Sequence, residues 1–170
     1  MMLSKTWIAR LPLNVIYECS IEQEIPWTLV AAIVQTESAG DPLAARFEPD
    51  YKYLYKVVEF AKDNNISQMT EMVMQKTSWG LVQMMGGVAR ELGHQGSILE
   101  MLKPEVNLAL GCKHIKRLIN RHPVLDDMIA SYNAGSPIKG LDGKYKNQEY
   151  VNKVNGYLKA LNETFDYKGR

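Results

Sequence analysis

Pro26-Trp27-Thr28-Leu29-Val30-Ala31-Ala32-Ile33-Val34-Gln35-Thr36-Glu37-Ser38-Ala39-Gly40 is the stretch from which the fold can be read. Proline is favoured in the first turn of a helix, where its missing N–H costs nothing. Leu29, Val30, Ile33 and Val34 then recur at helical spacing, and Gly40 with Pro42 ends the run in the usual order. The prediction is an α-helix with one buried face. Glu37 lies four residues after Ile33 and seven after Val30, so it shares that face. It also sits in the last turn, where the helix macrodipole is negative. Desolvation and dipole repulsion would both raise its pKa, which suits a general acid. The alternative is a frayed end from which Glu37 swings into water.

Working outward, the periodicity remains helical. Leu13–Glu24 carries Val15, Ile16 and Cys19 on one side. Tyr51–Ala61 reads as a helix closing at Asp63-Asn64-Asn65, and Ser67 caps a short Met-rich one through Met74. Residues 77–87 are too glycine-rich and irregular to be one element. Ser97 and Glu100 match a capping box, and Pro104 opens a longer helix with Leu108, Cys112, Ile115, Leu118 and Ile119 inward. Leu125–Ala134 stops at Gly135, the Gly140–Gly143 region reads as a surface loop, and Tyr150, Val154, Tyr157, Leu158 and Leu161 mark a final amphipathic helix. The expected architecture is mainly α and a single domain over 1–170, with room for a small β-hairpin between 40 and 87. Met69, Met72, Met74, Met84 and Met85 are expected to fill core space.

Composition narrows the function classes. The chain has 170 residues, 46% hydrophobic and 23% charged, with a net charge of +1. That excludes a disordered chain and argues against a dedicated nucleic-acid binder. The charge is uneven: −3 over residues 1–80 and +4 over 81–170, a split that would suit an anionic polymer or simply be a solvated surface. No apolar run is long enough to span a bilayer. Cys19 and Cys112 are too few and too far apart in sequence for a disulfide framework or a zinc site, and read as core residues. His94, His114 and His122 lack metal-ligand spacing, so no metal and no cofactor is expected. The first residues show no secretory leader.

Four blocks occur in order: Glu37-Ser38-Ala39-Gly40-Asp41-Pro42; Gly80-Leu81-Val82-Gln83-Met84-Met85; Asn107 with Gly111; and Ala130-Ser131-Tyr132-Asn133-Ala134-Gly135. This string resembles the soluble-type lytic transglycosylases, a lysozyme-like family related to goose-type lysozymes, over residues 11 to 160. The resemblance implies a lysozyme-like fold that cleaves the β-1,4 bond between N-acetylmuramic acid and N-acetylglucosamine in peptidoglycan. It implies one acid/base, Glu37, and a 1,6-anhydro product. By the same resemblance Ser38 holds the turn after the acid, Gln83 and Met85 line the sugar cleft, and Tyr132 approaches the acid with Asn133 beside it. Tyr150 matches a tyrosine near the cleft. Core packing is the competing reading for Met85, Tyr132 and Tyr150. The expected partner is the glycan strand, bound by a monomer.

Three departures stand out. Glu37 and Gly80 are 43 residues apart, more than the family usually needs, so residues 46–76 read as a helical insertion. Val82 replaces a usual Met, and Gly86 stands where Pro usually follows Met85, which would loosen that turn. Within the insertion, Glu48 either supplies a second carboxylate to the site, favouring a hydrolytic muramidase, or pairs with Arg46 or a nearby lysine. A non-catalytic wall-binding component is the rival from another class. The lack of a leader suggests a phage product, virion-borne or endolysin-like, with specialised secretion equally compatible.

Overall fold

The computed structural model describes residues 5–166. Among these the protein is mainly α. The helices are α1 (Leu13–Glu22), α2 (Trp27–Glu37), α3 (Val57–Asp63), α4 (Gln68–Gln75), α5 (Gly86–Glu91), α6 (Pro104–Arg121), α7 (Leu125–Ala134) and α8 (Gln148–Asp166). Three short strands, β1 (Ala45–Phe47), β2 (Thr77–Trp79) and β3 (Met84–Met85), form one antiparallel sheet in that order. The chain divides into two compact units, Met1–Gly40 with Cys112–Arg170, and Asp41–Gly111.

In the first unit α2 is the central helix. Leu29 to Val34 are all buried, none more than 3% exposed. The sequence predicted one buried face; the small Ala31 and Ala32 let a second face be covered as well. Its main neighbour is α8, with α1 also packed on it. From α8 come Val151, Val154 and Leu161, all fully buried. Each such side chain contributes about 1.5–3 kcal/mol by leaving water. Trp7 meets Tyr157 edge-on with ring centres 4.9 Å apart, and Trp27 meets Phe165 at 4.8 Å. Cys19 and Cys112 are buried free thiols, as their core reading required. Burial, followed by the nearby Cys19, pushes the Cys112 thiol up to about 12.

α7 ends where its glycine predicts: Gly135 takes the left-handed conformation (φ +75°) and bonds its N–H to the Ser131 carbonyl at 2.8 Å. The 138–146 segment is more ordered than a plain surface loop. Gly140 donates to the Lys144 carbonyl at 2.8 Å and Lys146 to that of Ile138 at 2.9 Å. Tyr145 donates its hydroxyl to Asp127 at 2.5 Å, with Lys139 over its ring.

The second unit holds the sheet. Ala45 pairs with Trp79 and Phe47 with Thr77, while Ser78 pairs with Met85. The expected hairpin is thus β2–β3, and β1 adds a third strand from outside it. Asn107, fully buried, accepts from Val82 N at 2.9 Å and donates to the Trp79 carbonyl at 2.9 Å, stitching the 79–82 turn to α6. Gln83 sits in the left-handed region (φ +46°) and satisfies that same turn from within. Its amide donates to the carbonyls of Ala44 and Gly80 and accepts from Ser78 Oγ.

Several expectations fail here. Residues 51–56 are not helical, and α3 begins only at Val57. The Gln75 side chain explains this, because it bonds both the N–H and the carbonyl of Tyr55, at 2.7 and 2.8 Å, and so takes the backbone groups a helix would use. The α4 methionines do not fill the core. α4 buries Glu71 and Gln75 instead, Met69 is 63% exposed, and of the five methionines named above only Met84 is buried. Glu71 meets Arg90 of α5 through both carboxylate oxygens, at 2.8 and 2.9 Å, with both side chains sealed from solvent. Arg90 also donates to the carbonyls of His94 and Gly96 and stacks on Phe60. That four-way use of one guanidinium satisfies its donors and explains how a charge is tolerated there. Ser97 caps a short 3-10 helix, Ile98–Leu102, rather than an α-helix. Gly86 also has a packing role: a Cβ there would run into the Met74 carbonyl, so glycine is what lets α5 pack against the end of α4.

Candidate functional site

Glu37 closes α2 and is a half-buried residue. Ser38 is the residue at the helix end. Its hydroxyl donates to the Val34 carbonyl at 3.3 Å and accepts from Gly40 N at 3.2 Å, so it braces the turn that follows the acid. Gly40 completes that turn with φ +86° and lies so close to the Arg10 carbonyl that a Cβ would clash.

A partner of Glu37 comes from α8. Tyr150 donates its hydroxyl to Glu37 Oε1 at 2.6 Å. This phenol is held far above its ordinary pKa by burial, then by the Glu37 charge, and so remains a donor throughout the physiological range. Tyr132 of α7 is half-buried near the same carboxylate. Burial and the Glu37 charge, with Cys112 behind them, likewise keep its hydroxyl protonated. The ring of His114 lies 5.6 Å from that of Tyr132, and Arg117 Nη2 is 3.1 Å from His114 Nδ1. Burial, then Arg117 and Arg121, lowers His114 to about 4, so it is neutral at pH 7.

α8 is itself anchored close to this group. Asn147, just before it, donates to the Ala130 carbonyl and to Asn133 Oδ1, each at 3.0 Å. Asn133 is exposed and serves as a peg between α7 and the start of α8. One turn beyond Tyr150, Lys153 donates to the Thr36 carbonyl at 3.3 Å, placing a cation at the negative end of α2. Neither Asn147 nor Lys153 was singled out from sequence. Lys153 had a usable signal, since it lies three residues after Tyr150 on the same helical face.

The first unit therefore brings Glu37, Ser38, Tyr132, Asn133 and Tyr150 into one neighbourhood. The remaining three predicted residues belong to the second unit. Gln83 spends its amide on Gly80 and Ser78 of the hairpin and on the Ala44 carbonyl before β1. Met85 is half-buried at the end of β3. Glu48 pairs with Arg46 at 2.5 Å, which is the ion-pair alternative that its sequence context left open. Gly111 gives Val82 its space: a Cβ would come within 2.9 Å of the Val82 methyl.

An open cavity of about 540 Å³ lies against the site, walled by the 140–150 segment and reaching Tyr150. Among the described residues no helix is long and apolar enough to cross a membrane. No curated protein sequence matches the chain. A family model described as Transglycosylase SLT domain matches residues 14–155, a span that takes in Glu37, both tyrosines and the whole of the second unit. The chain belongs to the transglycosylase SLT domain family, whose members are peptidoglycan-cleaving lytic transglycosylases.

Proposed function

We propose that the protein is a lytic transglycosylase that cuts the β-1,4 bond between N-acetylmuramic acid and N-acetylglucosamine, with Glu37 as its one acid/base. The observation that carries this reading is the 2.6 Å bond from Tyr150 to the carboxyl group of Glu37, a half-buried residue at the end of the central helix. A general acid needs a fixed direction, and the phenol supplies one.

In the first step Glu37 gives its proton to the glycosidic oxygen as the bond to the muramyl C1 breaks, leaving an oxocarbenium-like centre. The carboxylate then takes the proton of the muramyl 6-hydroxyl, whose oxygen bonds to C1. Atoms balance without water, and the product is a 1,6-anhydro sugar. Tyr150, as a donor, stabilises the carboxylate that exists between the two steps. Tyr132 contributes a second neutral phenol beside the developing charge. The usual pair of glycosidase carboxylates is not needed, because one group serves in both steps. Glu48, engaged with Arg46, has no part in this scheme.

The test is digestion of purified sacculi followed by mass spectrometry. Muropeptides lighter by one water than hydrolysed ones are expected, and a folded Glu37→Gln variant is expected to release none. Reducing ends in place of anhydro ends would make the enzyme a muramidase. Undiminished cutting by Glu37→Gln would remove the assignment.

A further inference from the structure

Two side chains of α8 reach the same turn of α2. Tyr150 donates to the Glu37 carboxyl group at 2.6 Å, and Lys153 donates to the Thr36 carbonyl at 3.3 Å. Residues three apart share a helix face, so one face of α8 holds two consecutive residues of α2. One is held by its side chain and the other by its backbone. The backbone contact bears on the acid because the Thr36 carbonyl and the Glu37 N–H belong to one planar peptide unit. A donor on that oxygen therefore fixes the plane from which the Cα of Glu37 departs.

We infer that Lys153 is a positioning residue for the cleavage reaction: by holding the Thr36 carbonyl it sets the register in which the Tyr150 phenol meets Glu37. This rests on the reading of Glu37 as the acid/base. The last carbonyls of a helix have no partner within it. From inside α2 the final turn is braced by Thr36 Oγ1 on the Ala32 carbonyl and by Ser38 on that of Val34; Lys153 reaches it from outside. Val151 and Val154, both fully buried, dock the same stretch of α8. Apolar burial is non-directional, however, whereas a phenol–carboxylate bond is exacting. A slip of one residue along a helix is about 1.5 Å, and O–H···O distances span only about 0.5 Å. A directed contact three residues from Tyr150 sets what the valines leave open. Lys153 acts through Tyr150 and touches no reacting atom.

The test is a double-mutant cycle in the full chain. Lys153→Met keeps an aliphatic side chain and removes the donor. It is expected to lower kcat on purified glycan strands about two- to five-fold with KM held, the scale of a cation at a helix end. Lys153→Arg, which keeps a donor, should restore most of the loss. In a Tyr150→Phe background the loss from Lys153→Met should vanish, because the bond it aligns is already gone. A helix-capping role alone would act equally in both backgrounds. Equal losses in the two, or no loss in the wild-type background, overturn the inference. If the wild-type protein cuts no glycan, the function reading fails separately, and the alignment is read by NMR. The hydroxyl proton of Tyr150, identified by its absence from Tyr150→Phe, should move upfield in Lys153→Met and return in Lys153→Arg. An unmoved resonance overturns the inference.

Discussion

Tyr150 and Glu37 are 113 residues apart in sequence and joined by a 2.6 Å hydrogen bond. The donor lies in the first turn of α8 and the acceptor ends α2, the two helices that form the principal packing of their unit. Tyr150→Phe keeps the ring and removes only the bond. A hydrogen bond to a charged group contributes about 1.5–3 kcal/mol, so kcat is expected to fall about ten- to hundred-fold with KM nearly unchanged. Steady-state turnover of purified glycan strands checks this, with a melting curve to show that the fold survives.

Arg90 gives the second unit its strongest single constraint. Arg90→Met leaves the Glu71 carboxylate buried without its cation and is expected to destabilise the protein by about 3–5 kcal/mol. Replacing both residues, Arg90→Met with Glu71→Met, should recover most of that loss, because no charge is then stranded. Urea unfolding of the two variants measures the difference.

His114 predicts a pH dependence of stability. Its folded pKa is about 4 against an ordinary 6.5, so between those values the unfolded chain binds a proton that the folded one does not. The contribution is complete above about pH 6.5, is lost as the pH falls toward 4, and declines no further below. Melting temperature should therefore drop across that window, and His114→Gln should flatten the drop.

Cys112 should be inert. A buried thiol pushed up to about 12 forms almost no thiolate at pH 8. Ellman's reagent is expected to find no reactive thiol in the native protein and both cysteines in denaturant.

Gly86 is required by the close approach of α5 to α4. Gly86→Ala forces those two helices apart and is expected to cost about 1–3 kcal/mol, the scale of overpacking. Denaturant midpoints read the change, and the same substitution at Gly156, where a Cβ meets nothing, serves as the control.

What could be read from sequence was what short-range chemistry decides. α2, α6 and α7 begin and end where proline and glycine place them, and Glu37 lies on the inner side of α2 as its spacing required. The unreadable parts depend on distant partners. Tyr51–Lys56 has a helical pattern, but the Gln75 amide, 20 residues away, occupies the backbone groups of Tyr55. β1 is exposed along its whole length and shows no alternation, so only its pairing with β2 makes it a strand. α4 inverts the hydrophobic rule because Arg90 waits inside. The Tyr150–Glu37 bond was likewise a matter of docking, since it spans 113 residues and depends on α8 reaching α2.

The span between Glu37 and Tyr150 also sets an order of events during biosynthesis. The acid is made early, but its phenol leaves the ribosome 113 residues later and reaches it only when α8 docks on α2. A nascent or prematurely terminated chain carries the carboxyl group without its donor. The Glu37–Tyr150 pair thus forms only once α8 has been made and docked, so its presence marks a chain completed through that helix.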